Sequence, residues 1–395
     1  MVRGTVGLLA LSSMVACSAV SASDGETASP APVAEAKLTV FPLNKADNVD
    51  TDALVTVGAV DGRLLSVKVR AASGELAGDL SADGTRWRSV RTARPGTTYT
   101  VTAVAVNPQG RKTETKTTFK TDPAERTFDI ERMLPNKDET DLTVGVGMPI
   151  MIEFSRDITD RVAIERNLSV HSSKPVEGAW HWFDDRHIDF RPKTYWPAHT
   201  RVRMEARLAG VPGGDGLYGK RDHVLNFKIG REQITKGNID NHHLTVRRNG
   251  KVVREIPMSA GQGGAWKYYT TSGVHLAMSR EPVTIMISPG IGPGQAGYYR
   301  KTVYNTVRIS NSGEYVHSAP WSVGSQGYAN VSHGCVNVSP SNASWFIRNT
   351  LIGDPIVLTG TPRKLEPTNG WGHWQEDWKQ WLKWSSTKSF PTGTL

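Results

Sequence analysis

The sequence predicts a mainly β chain: two immunoglobulin-like β-sandwiches, a third β-rich domain, and a short helical segment rich in tryptophan. Three observations lead there. Short runs of alternating apolar and polar residues recur from Lys37 to Gly230, parted by Gly, Asp and Asn turns at the spacing of sandwich strands. At 395 residues the chain is too long for one ordinary core. Near the C-terminus Trp371, Trp374, Trp378, Trp381 and Trp384 recur at helical intervals, which predicts one tryptophan stripe on a helix.

The N-terminus opens "MVRGTVGLLALSSMVAC". The apolar run from Val6 to Val15 follows Arg3 and is too short to span a bilayer, so it reads as the core of an export signal. Cys17 after Ala16 resembles a bacterial lipobox, which implies a lipidated cysteine at the new N-terminus; cleavage near Ala22 is the alternative. Ser18 to Ala36 is small, polar and Pro-containing, a flexible tether that completes a leader over 1–36. The expected location is outside the cytoplasmic membrane, held at its outer face.

The first sandwich is placed at 37–121 on "LTVFP", "ALVTVGAV", "LSVKVRAA", "TYTVTAVAV" and "TKTTFKT". The second, at 122–230, rests on "VGVGMPIMIEFS", "NLSVHSS", "GAWHWF", "HIDFRP", "TRVRMEARLAG" and "HVLNFKIG". His181, His187 and His199 lie in or beside these strands with no recurring ligand spacing, so they read as strand or surface residues. The loop 211–222 offers Asp215 and Asp222, too few carboxylates to assign a calcium site.

A third domain is expected over 231–360. Asn249-Gly250 between two alternating runs is a hairpin signal. Ser339 before Pro340 caps a helix through "PSNASWFIRNT". Ser288 to Arg300 is rich in Gly and Pro and reads as a mobile loop; its glycines do not form a dinucleotide fingerprint, since no strand-to-helix turn surrounds them. The remaining 361–395 is expected to pack on this third domain.

Lys and Arg number 47 against 38 Asp and Glu, a net charge of +9. No dense basic block and no base-reading motif accompanies it, so nucleic acid is not an expected partner. An anionic polymer or a solvated basic surface both fit.

Only two cysteines occur, Cys17 and Cys335. With Cys17 lipidated or removed, Cys335 has no internal disulfide partner, and an unpaired thiol in an exported protein points to reactivity. His317 and His333 lie close in sequence, and Gly334 in "SHGC" permits a tight turn whose N–H groups could face an oxyanion. A structural cysteine, or zinc held by His317, His333 and Cys335, are the rivals. No fourth ligand or base motif supports zinc.

The stretch resembles the signature of the L,D-transpeptidases, with their YkuD-type catalytic domain. That signature is a His, an interval, then Ser/Thr-His-Gly-Cys, an apolar residue and Asn; here His317 precedes Ser332-His333-Gly334-Cys335-Val336-Asn337. The leader, the two sandwiches and the Trp-rich end resemble the branch of that family with two immunoglobulin-like domains. The resemblance implies a cysteine acyl-enzyme that joins two meso-diaminopimelate residues of peptidoglycan stem peptides. It implies Cys335 as nucleophile, His317 as general base and Ser318 as the residue orienting it through its carbonyl. His333, Gly334 and Cys335 would frame the oxyanion hole. Tyr299, Ser312, Gly313 and Asn337 would contact substrate, and Met286, Tyr299 and Trp321 would line the pocket beneath the 288–300 lid. The family implies no cofactor and inhibition by carbapenem-type β-lactams. An L,D-carboxypeptidase or cysteine peptidase on the same peptides, or a non-catalytic wall-binding lipoprotein, are the alternative functions.

Overall fold

The computed structural model describes residues 34–395 apart from 52, 73, 289, 290 and 297. The export signal and Cys17 lie outside the described residues. Ala34 to Ala36 belong to the first sandwich and not to the tether. Ala36 is buried in its core, and the Ala34 carbonyl accepts a hydrogen bond from Asn107 at 2.8 Å.

Two sheets face each other in the first sandwich, one of four strands and one of five. Strand Thr98–Val106 shows why: Tyr99, Val101, Ala103 and Ala105 turn inward at every second position, onto a core shared with Val57, Trp87 and Phe119. The second sandwich has two five-stranded sheets and a small three-stranded one. Its core is larger and aromatic, with Phe154, Trp180, Trp182, Phe190 and Trp196 all buried. The two sandwiches meet where Asp222 faces Arg91 and Arg94, each at 3.5 Å.

The third domain is built on a nine-stranded ladder. The hairpin of His243–Arg248 and Lys251–Ser259 turns at Asn249 and Gly250, both at positive φ, as a tight right-twisted turn requires. Helix Pro340–Asn349 begins where Ser339 Oγ accepts from Asn342 N at 3.3 Å. Its Phe346 drops into the core with Val307, Val316, Val336 and Ile356.

The third domain is tied to the second sandwich by backbone. Gly145 N donates to Ile352 O at 2.7 Å and Gly147 N to Gly353 O at 3.0 Å. A Cβ on Gly145 would collide with Asp354 N, so the chains can approach only because that residue is glycine. Arg231 closes the junction on Asp354 at 2.7 and 2.9 Å.

The C-terminal segment departs from expectation. Helix covers only Trp378–Trp381, followed by a 3-10 turn at Leu382–Trp384, and Trp371 and Trp374 precede it in turns. It also docks chiefly on the second sandwich. Phe390–Pro391 pairs with Glu177–Trp182, and Gly393–Thr394 with Leu168–Ser172. The tryptophan spacing serves a buried cation instead of a long stripe. The Arg191 guanidinium lies 4.7 Å from the ring of Trp374, 5.3 Å from Trp378 and 4.6 Å from Trp381. Burial pulls Arg191 down to about 10. Nearby, Asp189 is wholly buried between His373 at 2.5 Å and His187 at 3.0 Å. Burial opposes a charge on His187, but the charge of Asp189 and its hydrogen bond outweigh it and lift His187 to about 9.

Trp381 is fully buried, and its Nε1 donates to Ala179 O at 3.1 Å. Trp381→Ala is expected to cost about 3–5 kcal/mol, read by denaturant unfolding. A loss near zero would show that the docked tail contributes nothing to the sandwich.

Candidate active site

Two strands set the site. Tyr315–Ser318 and Val336–Val338 run parallel, with Val316 opposite Val336 and His317 opposite Asn337. Cys335 immediately precedes the second strand and so lies level with Tyr315 at the start of the first. The Tyr315 N–H points to its sulfur, and Sγ lies 3.5 Å from Gly313 O. A carbonyl can only accept, so the sulfur donates and carries its proton.

The loop before Cys335 is fixed on several sides. Ser332 Oγ donates to Cys335 O at 2.6 Å and accepts from Gly334 N at 3.1 Å. Thr270 Oγ1 donates to Gly334 O at 2.7 Å. Gly334 has φ +128, a conformation that strains any side chain. His333 is exposed and packs between two rings, stacked on Tyr299 at 5.7 Å and tilted against Tyr268 at 4.8 Å.

His317 is buried at 3% exposure. Its Nδ1 lies 2.9 Å from Ser318 O, which again can only accept. The proton is therefore on Nδ1, and Nε2 keeps a lone pair. Burial and then the Lys301 charge push the imidazole toward neutrality, against the Ser318 carbonyl. No hydrogen bond joins His317 to Cys335 among the described residues. The cysteine is partly exposed as a residue, yet desolvation of its sulfur pushes the thiol up to about 12. Tyr315 N–H works against that rise and the Glu314 charge adds to it. The resting pair is thus a thiol and a neutral imidazole.

The remaining predicted residues take distinct places. Trp321 is half exposed in the turn Pro320–Ser322, its ring 6.0 Å from that of His317. Met286 stands opposite Lys301 in the edge hairpin. Tyr299 closes the Gly-rich loop, exchanging hydrogen bonds with Ser288 at 3.1 Å. Gly313 sits at φ +91 beside Cys335, and Ser312 is held by Asn369 of the C-terminal segment at 2.8 and 3.0 Å. Asn337, expected to contact substrate, is buried and donates to Ser322 Oγ at 3.1 Å, bracing the turn that carries Trp321.

Sequence reasoning passed over Glu314, Lys301 and Thr271. Glu314 is buried, receiving Thr271 N at 2.6 Å and Thr271 Oγ1 at 2.7 Å. Thr271 Oγ1 in turn meets His275 Nε2 at 2.7 Å. The one available clue was a carboxylate directly before a strand that carries a catalytic-type histidine.

A family model described as the L,D-transpeptidase catalytic domain matches residues 234–358, and one for a bacterial Ig domain matches 46–212. L,D-transpeptidase 2 of Mycobacterium tuberculosis is 37% identical over 349 residues, covering 87% of this chain and 84% of that protein. The chain belongs to the L,D-transpeptidase family. L,D-transpeptidase 5 of the same organism is 34% identical over 388 residues, covering 96% of this chain and 83% of the relative. Among solved structures, an L,D-transpeptidase in complex with imipenem aligns at 36% identity and TM-score 0.50, covering 58% of this chain and 99% of that one.

A thiol raised this far yields little thiolate near neutrality. Iodoacetamide is expected to label Cys335 of the free protein slowly, with a rate still climbing at pH 10. Glu314→Gln, which removes a charge that holds the thiol up, should speed labelling about three- to tenfold at a given pH. A plateau below pH 8 would mean a preformed thiolate.

Proposed function

We propose that the chain cross-links peptidoglycan stem peptides, joining two meso-diaminopimelate residues through a thioester on Cys335. The observation that carries this reading is the tautomer of His317: Nδ1 is committed to Ser318 O, so Nε2 is the nitrogen left to take a proton, on a strand paired with the one that follows Cys335. Cys335 Sγ attacks the carbonyl of the donor's L-centre as its proton passes to Nε2. Negative charge builds on the carbonyl oxygen. Gly334 N–H is already spent on Ser332, so the N–H groups of His333 and Cys335 are assigned to it. Collapse breaks the bond to D-Ala, whose amine leaves with the proton from Nε2. The side-chain amine of a second diaminopimelate then gives a proton to Nε2 and attacks the thioester, freeing the thiol.

Tyr299, Met286 and Trp321 are assigned to the walls around the acyl chain, with Ser312 and Gly313 along the donor. Exclusion of water from these walls favours an amine over hydrolysis. Imipenem, which the solved relative binds, is expected to acylate Cys335. No cofactor enters the reaction.

Cys335→Ala is expected to lower dimer formation from disaccharide-tetrapeptide by about a thousandfold or more, with its melting temperature held near wild type. Products are read by mass. Dimers from the Ala variant would refute the thioester, and wild type that releases D-Ala without making dimers would show a carboxypeptidase.

We also propose that the protein is exported and anchored to the outer face of the membrane through a lipidated Cys17, on the lipobox-like sequence before it. Cys17→Ser should then move the protein into the soluble fraction. Unchanged membrane association would exclude anchoring at that residue.

A further inference from the structure

Lys301 stands on the strand Arg300–Arg308, exposed, with its Nζ 3.5 Å from the centroid of the Trp321 ring. An aromatic face fixes an ammonium group without neutralising it. No carboxylate of the described residues pairs with this lysine. His317 also packs on Trp321, ring centroids 6.0 Å apart, and the Lys301 charge lowers its proton affinity. A fixed cation helps a base that must start neutral. It hinders the same imidazole when it must carry a proton to the leaving amine. Both tasks are met if an anion arrives with the substrate and offsets the cation during the second step.

Resting on the function proposed above, we infer that Lys301 binds the carboxylate of the residue expelled from the donor peptide. The leaving amine must reach His317 Nε2 to be protonated. In an α-amino acid the carboxyl carbon lies roughly 2.5 Å from that nitrogen, so the carboxylate comes to rest beside the imidazole. Trp321 and Lys301 occupy one flank there, and Met286, opposite Lys301 in register, shares its face of the hairpin. The other flank carries Lys267, poised 5.1 Å from the Tyr268 ring, which packs on His333. That cation is not beside the general base and serves as a control. What is inferred is that Lys301 reads the free carboxylate of that expelled residue.

The test compares a donor tetrapeptide with its C-terminal carboxamide, each assayed for release of the fourth residue. Wild type is expected to favour the carboxylate about tenfold in kcat/KM. Lys301→Met should lose that preference by failing on the carboxylate alone, and Lys301→Arg should keep most of it. Lys267→Met should retain the wild-type ratio. Because the Lys301 charge holds His317 down, its removal should also move the acid limb of kcat/KM to higher pH. An equal loss on both donors, or an unchanged ratio and limb in Lys301→Met, would overturn the inference and leave Lys301 a packing partner of Trp321. If wild type used neither donor, the transpeptidase reading itself would fail, a result distinct from loss of selectivity in an active enzyme.

Discussion

The parallel pairing of Tyr315–Ser318 with Val336–Val338 is the constraint on which the site depends. It fixes the height of His317 against Cys335, and neither side chain is held by the other. Parallel strands require a crossover, and this one is knotted down by its own polar groups. Gln326 Nε2 donates to Ala319 O at 3.1 Å, and Asn337 reaches back to Ser322. The crossover therefore presents Trp321 at a set position as well as joining two strands. One residue of slip would carry His317 to the opposite face of the sheet.

Around that pair the electrostatics favour neutrality. Sulfur desolvation and Glu314 keep the proton on Cys335, while burial and Lys301 keep His317 unprotonated. An enzyme arranged in this way needs its substrate to complete the charge balance, since neither partner ionises alone. A thiol held this way is far less open to adventitious oxidation and alkylation than a thiolate. The C-terminal segment contributes as well: it crosses from the second sandwich, where Arg191 and Asp189 are buried, to Ser312 beside the site.

Much of this was legible in the sequence. Alternation of period two marked the sandwich strands, Asn249-Gly250 marked its hairpin, and Ser339-Pro340 marked the helix start. The resemblance of His317 and Ser332-His333-Gly334-Cys335-Val336-Asn337 to a family signature pointed to the candidate site because that signature is local in sequence. Long-range partners were not legible. The tryptophan spacing looked helical, but Arg191, from a distant strand, decides where Trp374, Trp378 and Trp381 sit. Nothing local reveals the burial of Asn337 or its bond to Ser322. Lys301 and Glu314 are ordinary residues until strand pairing places them beside His317 and Cys335.

At rest the thiol and imidazole are both neutral, with the His317 proton on Nδ1. The most direct test is nitrogen-15 NMR of the ring-labelled histidines in the full chain at pH 7, with His317 assigned by a His317→Gln variant. A neutral ring with protonated Nδ1 and bare Nε2, unaltered by Cys335→Ala, is expected. An imidazolium at His317 that turns neutral when Cys335 is removed would contradict it, since that would reveal an ion pair with a thiolate already formed.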